Sequence, residues 1–218
     1  MSNDAIISAH EIPVILFLLS IFFSFLIALL IQRTKKPQLE MQISKYSFHD
    51  QNRMKIAHIR VRNKPVKYLS RWMNRDFATN CRANVEVKDA SNEQLIKNFH
   101  ELKWALNPEP LKYDLQGNKI VVMIDPAIMM TAGIKNLGER WEDLDIALKR
   151  QGEEEFYMNT PQNYPLNVKH ERNRIDARKC FIDIIVEYDN GKSNAKRFYL
   201  RNDSNGIVDF ELSENPFS

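Results

Sequence analysis

The chain has 218 residues, of which 44% are hydrophobic and 27% charged, and its formal net charge is +3. This composition excludes a wholly disordered chain, a collagen-like repeat and a membrane protein with many spans. The two cysteines, Cys81 and Cys180, lie far apart. Their number excludes a disulfide-dense scaffold, and their spacing excludes a clustered metal site.

A short N-terminal tail, residues 1–12, precedes a predicted transmembrane helix over residues 13–31. From Val14 to Ile31 no side chain is charged, and only Ser20 and Ser24 are polar. Such a helix is about 27 Å long, close to the thickness of a bilayer core. A cleaved signal peptide is the alternative. The absence of Lys and Arg from residues 1–12 favours an uncleaved anchor.

The charges that flank this helix predict its orientation. The N-terminal side carries only Asp4 and Glu11, whereas Arg33, Lys35 and Lys36 follow the helix directly. Because positive flanks stay in the cytoplasm, we expect the C-terminal domain to be cytoplasmic.

The remaining chain is dominated by an alternation of apolar and polar residues, which is typical of strands with one buried face. Cys81, Ala83, Val85 and Val87, for example, alternate with polar residues. Five strands are predicted in this way, around residues 38–43, 57–62, 81–88, 143–148 and 208–212. Four more are predicted at 119–124, 154–158, 180–188 and 196–201.

Turn and helix signals complete this prediction. Asn190-Gly191 and Asn205-Gly206 separate the last strands, so the C-terminal part is predicted to be a three-stranded meander. Ser91 to Leu102 is predicted to be a helix, because Ser91 can act as N-cap and apolar residues follow at helical spacing. An all-β sandwich over residues 37–213 is therefore expected.

Several short motifs stand in a recurring order along the chain: Pro37-Gln-Leu-Glu40, Ile59-Arg-Val-Arg-Asn63, Ala78-Thr-Asn-Cys-Arg-Ala83, Trp104 with Pro108-Glu-Pro110, and Leu144-Asp-Ile-Ala147. The first three resemble motifs of immunoglobulin-like β-sandwich modules of the bacterial and archaeal CARDB type. The order of all five is similar to that in single-span prokaryotic proteins, mostly archaeal. The resemblance covers residues 37–213. It implies an immunoglobulin-like fold and carries no catalytic residues.

The order Cys81, Trp104, Cys180 is that of antibody domains, in which the two cysteines form a bridge between sheets. Arg178 stands where the tyrosine corner of those domains is expected. A cytoplasmic domain favours two buried free thiols, and an extracytoplasmic domain favours a disulfide. Both alternatives remain open at this point.

The sequence contains no recognisable catalytic motif, no phosphate-binding loop and no pattern of metal ligands, so no cofactor is expected. Asp143 and Asp145 alternate on one face of a predicted strand. They could form a carboxylate dyad or a calcium ligand pair, but a solvated strand face is the simpler interpretation.

A basic stretch could contact an anionic surface such as lipid headgroups. Nucleic acid could use the same charges, with Tyr68 or Trp72 stacking on a base, but no nucleic-acid-binding motif accompanies them. A solvated strand face and loop would also explain the stretch. The cations are Arg60, Arg62, Lys64, Lys67, Arg71, Arg75 and Arg82.

These observations predict a membrane-anchored, non-catalytic interaction or scaffold module with a protein partner. One alternative is an extracytoplasmic adhesion or envelope domain that contains a Cys81–Cys180 disulfide. The other is a hydrolase on a sandwich scaffold that uses Asp143 and Asp145.

Overall fold

The computed structural model describes residues 11–44, 54–66, 74–117, 119–150, 153–161, 171–203 and 209–214. The chain divides into two compact units. Residues 1–37 and 65–76 form the helical unit, and residues 38–64 and 77–218 form the β unit.

The helical unit contains α1, Glu11–Lys35. Its apolar residues are exposed all round, and its length and hydropathy suit a membrane span over Pro13–Lys35. The predicted apolar helix is therefore confirmed, and it is compatible with a membrane anchor or a signal sequence. At its C-terminal end, the Arg75 guanidinium donates hydrogen bonds of 2.8 Å to the carbonyl oxygens of Thr34 and Lys36. A cation at this position satisfies carbonyls that have no helical partner.

The β unit contains the described strands and a second, short helix. The helix, α2, spans Pro126–Thr131 and is capped by Asp125, which accepts hydrogen bonds from the backbone N–H groups of Ala127 and Ile128. The strands are β1 Leu39–Ile43, β2 Met54–Asn63, β3 Ala78–Asp89, β4 Leu95–Phe99, β5 Leu111–Gln116, β6 Lys119–Ile124, β7 Lys135–Leu137, β8 Glu142–Arg150, β9 Phe156–Met158, β10 Arg174–Ile175, β11 Lys179–Tyr188, β12 Gly191–Lys192, β13 Lys196–Asp203 and β14 Asp209–Ser213.

The strands form two main antiparallel sheets and one separate hairpin. The five-stranded sheet has the order β1-β2-β8-β9-β10. The seven-stranded sheet has the order β14-β13-β11-β3-β4, with β12 paired to β11 and β7 paired to β3. Among the described strands, β5 and β6 pair only with each other.

The inward faces of both sheets contribute to one hydrophobic core. Ile59 and Leu144 come from the five-stranded sheet, and Val85 and Ile184 come from the seven-stranded sheet. Each fully buried side chain of this kind contributes about 1.5–3 kcal/mol. This shared core confirms a strand-rich protein with antiparallel sheets.

Alternation predicted the position of most strands correctly. The predicted strand at 180–188 is central, since β11 lies between β13 and β3. The strand predicted at 154–158 is shorter and spans Phe156–Met158. A tight hairpin forms at the predicted Asn190-Gly191, where Tyr188 pairs with Gly191. β13 and β14 pair as the meander requires, but Asn205-Gly206 lies outside the described residues.

The helix predicted from Ser91 to Leu102 is wrong, because this segment forms β4. The Ser91 N–H donates to the Asp89 carboxylate at 2.7 Å, and the Ser91 hydroxyl contacts the same oxygen. Ser91 thus closes a turn instead of capping a helix. Beyond the turn, β4 pairs with β3 and buries Phe99 opposite Val85. Cross-strand pairing outweighs the local helical pattern.

The predicted alternative of a Cys81–Cys180 disulfide is also wrong, because both thiols are free and buried. Cys180 pairs with Asp89 at one end of β3, while Cys81 lies eight residues away along the same strand. Eight residues of strand span about 27 Å. A disulfide needs a Cα separation of about 4.4–6.8 Å. Both cysteines also belong to one sheet, so no bridge between sheets can form.

Candidate interaction surfaces

The predicted cationic residues are distributed over three places among the described residues. Arg60 and Arg62 lie on the outer face of the five-stranded sheet, and Arg82 lies on β3 of the other sheet. Arg75 belongs to the helical unit. Lys64 is exposed just after β2. Lys67 and Arg71, with Tyr68 and Trp72, lie outside the described residues.

Arg60 and Arg62 are engaged within their own sheet. Their guanidinium carbons lie 5.2 and 4.2 Å from the centre of the Trp141 ring, which places both cations over one aromatic face. Arg62 also binds Glu40 at 3.0 Å. With the Gln42 amide oxygen oriented toward Arg60, it accepts hydrogen bonds of 2.6 and 2.9 Å from that guanidinium. The charge of Arg62 is thus paired with that of Glu40, and the Arg60 guanidinium is held by the Gln42 amide and the Trp141 ring.

Arg82 is similarly engaged, since it binds Glu101 at 2.6 Å. Arg75 donates to the helix carbonyls described above. The predicted membrane-flank residues Arg33 and Lys35 lie in the last turn of α1, and Lys36 follows it. Arg60, Arg62, Arg75 and Arg82 therefore all have partners within the described part of the chain.

The predicted Asp143 and Asp145 pair has a different environment from the one expected. Asp143 is half-buried, but only 6% of the Asp145 side chain is exposed, so a solvated face is wrong for Asp145. The Lys103 segment accounts for the difference, because it packs along β8 at this point and the Asp145 N–H donates to the Lys103 carbonyl. β8 also contains a β-bulge: His58 pairs with Asp145 and Ala57 pairs with Ala147, so Ile146 is the extra residue. From Leu144 to Lys149 every residue of β8 is buried.

Asp145 is the centre of a buried polar cluster formed with His58, Lys103 and Asn159. Its Oδ1 lies 2.8 Å from Nδ1 of His58, at an angle that does not form a hydrogen bond. Its Oδ2 accepts a hydrogen bond of 3.2 Å from Asn159 and lies 3.8 Å from Nζ of Lys103. The side chains of His58 and Lys103 are 10% and 6% exposed.

The backbone holds this cluster in register. The Asp145 N–H donates to the Lys103 carbonyl at 3.0 Å, and the Lys103 N–H donates to the Asn159 carbonyl at 3.2 Å. Trp104 forms a bridge with Leu144 and is buried, with its ring N–H bonded to the Gly133 carbonyl. Asp145 is thus held between positive and amide groups. Removing one member of such a buried group is costly, because the groups that remain lose their partner.

A polar cleft of about 180 Å³ lies elsewhere on the β unit. Two ion pairs occupy part of it, since Arg174 binds Asp176 at 2.7 Å and lies 3.7 Å from Glu155. The Arg174 guanidinium lowers the pKa of Asp176 below its usual range. The cleft is lined by Glu154, Glu155, Arg174, Asp176, Arg178 and Asn202. Within the described parts of the chain, no group of His, Cys, Asp and Glu side chains could hold a metal ion.

In the β unit, the β5–β6 hairpin carries a group of apolar side chains that are largely exposed. Tyr113 pairs with Val122 and Leu115 pairs with Ile120, so these four residues lie on one face together with the pair Leu111 and Ile124. Leu115, Ile120 and Tyr113 are 76%, 68% and 65% exposed. We call these six residues the apolar face.

The opposite side of the hairpin, the reverse face, is mixed in polarity. It carries the pairs Lys112 with Met123, Asp114 with Val121, and Gln116 with Lys119. The sequence prediction included β6 but not β5, and it did not identify the apolar face. The alternation of Leu111, Tyr113 and Leu115, followed by Gly117-Asn118, is the signal that was overlooked.

No protein-family model, curated protein or solved structure matches this chain. The two sheets with their buried cluster and the exposed hairpin are therefore the features on which a function can be based.

Proposed function

We propose that the chain is a membrane-anchored, non-catalytic interaction module. In this proposal α1 holds the protein in the bilayer, and an immunoglobulin-like β domain presents the apolar face of the hairpin to a protein partner on the cytoplasmic side. The exposed apolar face carries the proposal. Contiguous apolar patches of this kind mark contact surfaces more often than ordinary protein surface.

Several observations support the individual parts. α1 is long and apolar enough to span a membrane, and its basic residues Arg33 and Lys35 lie in its last turn. Two antiparallel sheets around one core and a buried Trp104 agree with an immunoglobulin-like arrangement. The Asp145 side chain is only 6% exposed and its Oδ2 accepts a hydrogen bond from Asn159, which favours a structural role for this carboxylate over a catalytic one.

The anchor is tested with the full chain in cell membranes. We expect the protein to resist alkaline extraction and its intact mass to include residues 1–31. Leu19→Arg should weaken retention, because a cation at the centre of a span costs about 2.5–3.5 kcal/mol on insertion scales. A mature protein that has lost α1 would contradict the anchor and identify the helix as a signal sequence.

The orientation is tested with Val122→Cys and an impermeant maleimide. Burial raises the pKa of both Cys81 and Cys180 to about 12, so the native thiols react slowly and give little background. We expect labelling of Val122→Cys only after cells are permeabilised. Labelling in intact cells would place the β domain on the other side of the membrane.

The contact function is tested by incorporating a photoreactive amino acid at position 122 on the apolar face or at position 123 on the reverse face. We expect protein adducts from position 122 in native membranes and few from position 123. Equal yields from both positions, or none from either, would contradict an interaction module that uses this face.

A further inference from the structure

We propose that the apolar face of the β5–β6 hairpin binds the same face of a second copy of this chain. The inference rests on the proposed function for the role of this surface, and it names the partner. The hairpin forms a separate two-stranded sheet, and such hairpins are marginally stable unless an apolar face is covered.

The composition of the apolar face suits contact with the same face of a second copy. In a two-fold interface residue i contacts residue j and residue j contacts residue i, so a residue on the axis meets its own copy and a charge there meets a like charge. The apolar face contains no Lys, Arg, Asp or Glu. The charged residues of the hairpin, Lys112, Asp114 and Lys119, belong to the reverse face. The apolar face can therefore close on its own copy without electrostatic repulsion.

The size of the face suits a modest interface. Six side chains of this kind, mostly more than half exposed, present on the order of 600 Å² per copy. Two copies would bury about 1,200 Å², the lower limit of a specific interface. Such a contact is weak in dilute solution. Anchoring both copies in one membrane raises their effective concentration and strengthens it.

Insertion of the hairpin into lipid is less favourable than pairing with a second copy. β5 and β6 pair only with each other among the described strands, so the outer edge of each strand has backbone groups without ladder partners. Each such group costs several kcal/mol in hydrocarbon. Face-to-face packing covers the side chains and leaves both edges in water.

The first experiment cross-links the full-length protein in detergent at low concentration. Val122 lies in the middle pair of the face, so a cysteine at this position comes within reach of its counterpart for either direction of the second hairpin. Val122→Cys with a short bis-maleimide should give a covalent dimer. Met123→Cys, on the neighbouring residue of the reverse face, is the matched control and should give at least fivefold less.

The second experiment measures the molar mass of the protein in detergent by sedimentation. We expect concentration-dependent dimers of the full chain, a weakening of dimerisation by at least tenfold in Val122→Lys, and no change in Met123→Lys. Circular dichroism verifies that both variants are folded. If Val122→Lys is unfolded, Val122→Thr replaces it and should weaken dimerisation in the same direction.

Each remaining outcome overturns the proposal in an identifiable way. A full chain that stays monomeric, or dimers that persist in Val122→Lys, would show that the second copy is not the occupant. If photo-cross-linking at position 122 then gives only adducts with another protein, the interaction module stands and self-association is wrong. If it gives no protein adduct, both proposals fail.

Discussion

Asp145 on the five-stranded sheet and Lys103 beside it are almost completely buried, whereas on the β5–β6 hairpin Leu115 and Ile120 are largely exposed. Both regions reverse the usual relation between polarity and burial. The difference lies in where their partners are. The chain itself supplies His58 and Asn159 to the buried carboxylate. Four of the six apolar side chains of the hairpin stay more than half exposed within the described chain.

The comparison separates two kinds of unusual residue. A buried charge is tolerated only when opposite charges or amides from the same fold surround it, so its replacement is felt in stability. An exposed apolar residue contributes little to folding, so its replacement is felt in binding. Substitutions in the buried cluster should therefore lower stability, whereas substitutions on the apolar face should weaken association and leave stability nearly unchanged.

The largest expected effect on stability is that of Asp145→Asn. The variant keeps the shape of the side chain but leaves Lys103 buried without its carboxylate. Breaking a buried pair in this way costs about 3–5 kcal/mol. Urea unfolding of the full chain in detergent measures the change.

Asp143→Asn is the matched control for this prediction. Asp143 lies two residues away on the same strand and is half-buried, so we expect a change within about 0.5 kcal/mol. Equal effects of the two substitutions would contradict the structural role assigned to the Asp145 cluster and would favour a carboxylate dyad formed by Asp143 and Asp145.

An intermediate effect is expected for Asp183 on the seven-stranded sheet, whose side chain is 13% exposed. Arg197 donates hydrogen bonds of 2.7 and 3.0 Å to this carboxylate, and Lys88 donates one of 2.9 Å. The Arg197 guanidinium, followed by Lys88, holds the pKa of Asp183 below its usual range.

A lowered pKa means that Asp183 stabilises the fold above the unfolded-state pKa of about 3.9 and that this contribution is lost as the pH falls through the lower, folded-state pKa. Asp183→Asn should therefore destabilise the protein at pH 7 by about 1.5 kcal/mol. The difference from the unsubstituted protein should shrink progressively below pH 4. Urea midpoints between pH 2 and pH 7 test this, and a difference independent of pH would contradict it.

A smaller effect, about 1 kcal/mol, is expected for Trp141→Ala. This ring supports the Arg60 and Arg62 cations on the outer face. Trp141→Phe should retain part of the stability, because a smaller aromatic face remains. If Trp141→Ala has no effect in thermal unfolding, the stacked cations do not contribute to stability and are available to an external anion.

The sheets could be predicted from the sequence to the extent that each strand has one buried and one solvated face. The alternation around Cys81–Val87 and Ala57–Val61 reports such faces directly. β4 was not predicted, because Leu95 and Ile96 are partly exposed and the spacing of Leu95, Phe99 and Leu102 also suits a helix. Only the pairing of β4 with β3, a contact between distant parts of the chain, decides between the two.

The two candidate regions show different limits of prediction. The burial of Asp145 depends on Lys103, which lies more than forty residues earlier in the chain, so local alternation assigned Asp145 to a solvated face. The apolar face of the hairpin could have been predicted from the alternation of its residues and the Gly117-Asn118 turn signal. Its exposure could not be predicted, because alternation shows which residues share a face and not whether anything covers that face.

The smallest expected effect on stability is that of Leu115→Asn on the hairpin. This side chain is 76% exposed, so its replacement should change the free energy of unfolding by less than about 0.5 kcal/mol at protein concentrations too low for association. Leu144→Ala in the core provides the reference and should cost about 2–5 kcal/mol. A small effect at Leu115 would mean that folding does not require an apolar residue there, and that the face is free to contact another molecule. A loss of 2 kcal/mol or more would mean that Leu115 packs within its own chain, which would remove the basis for contact through this face.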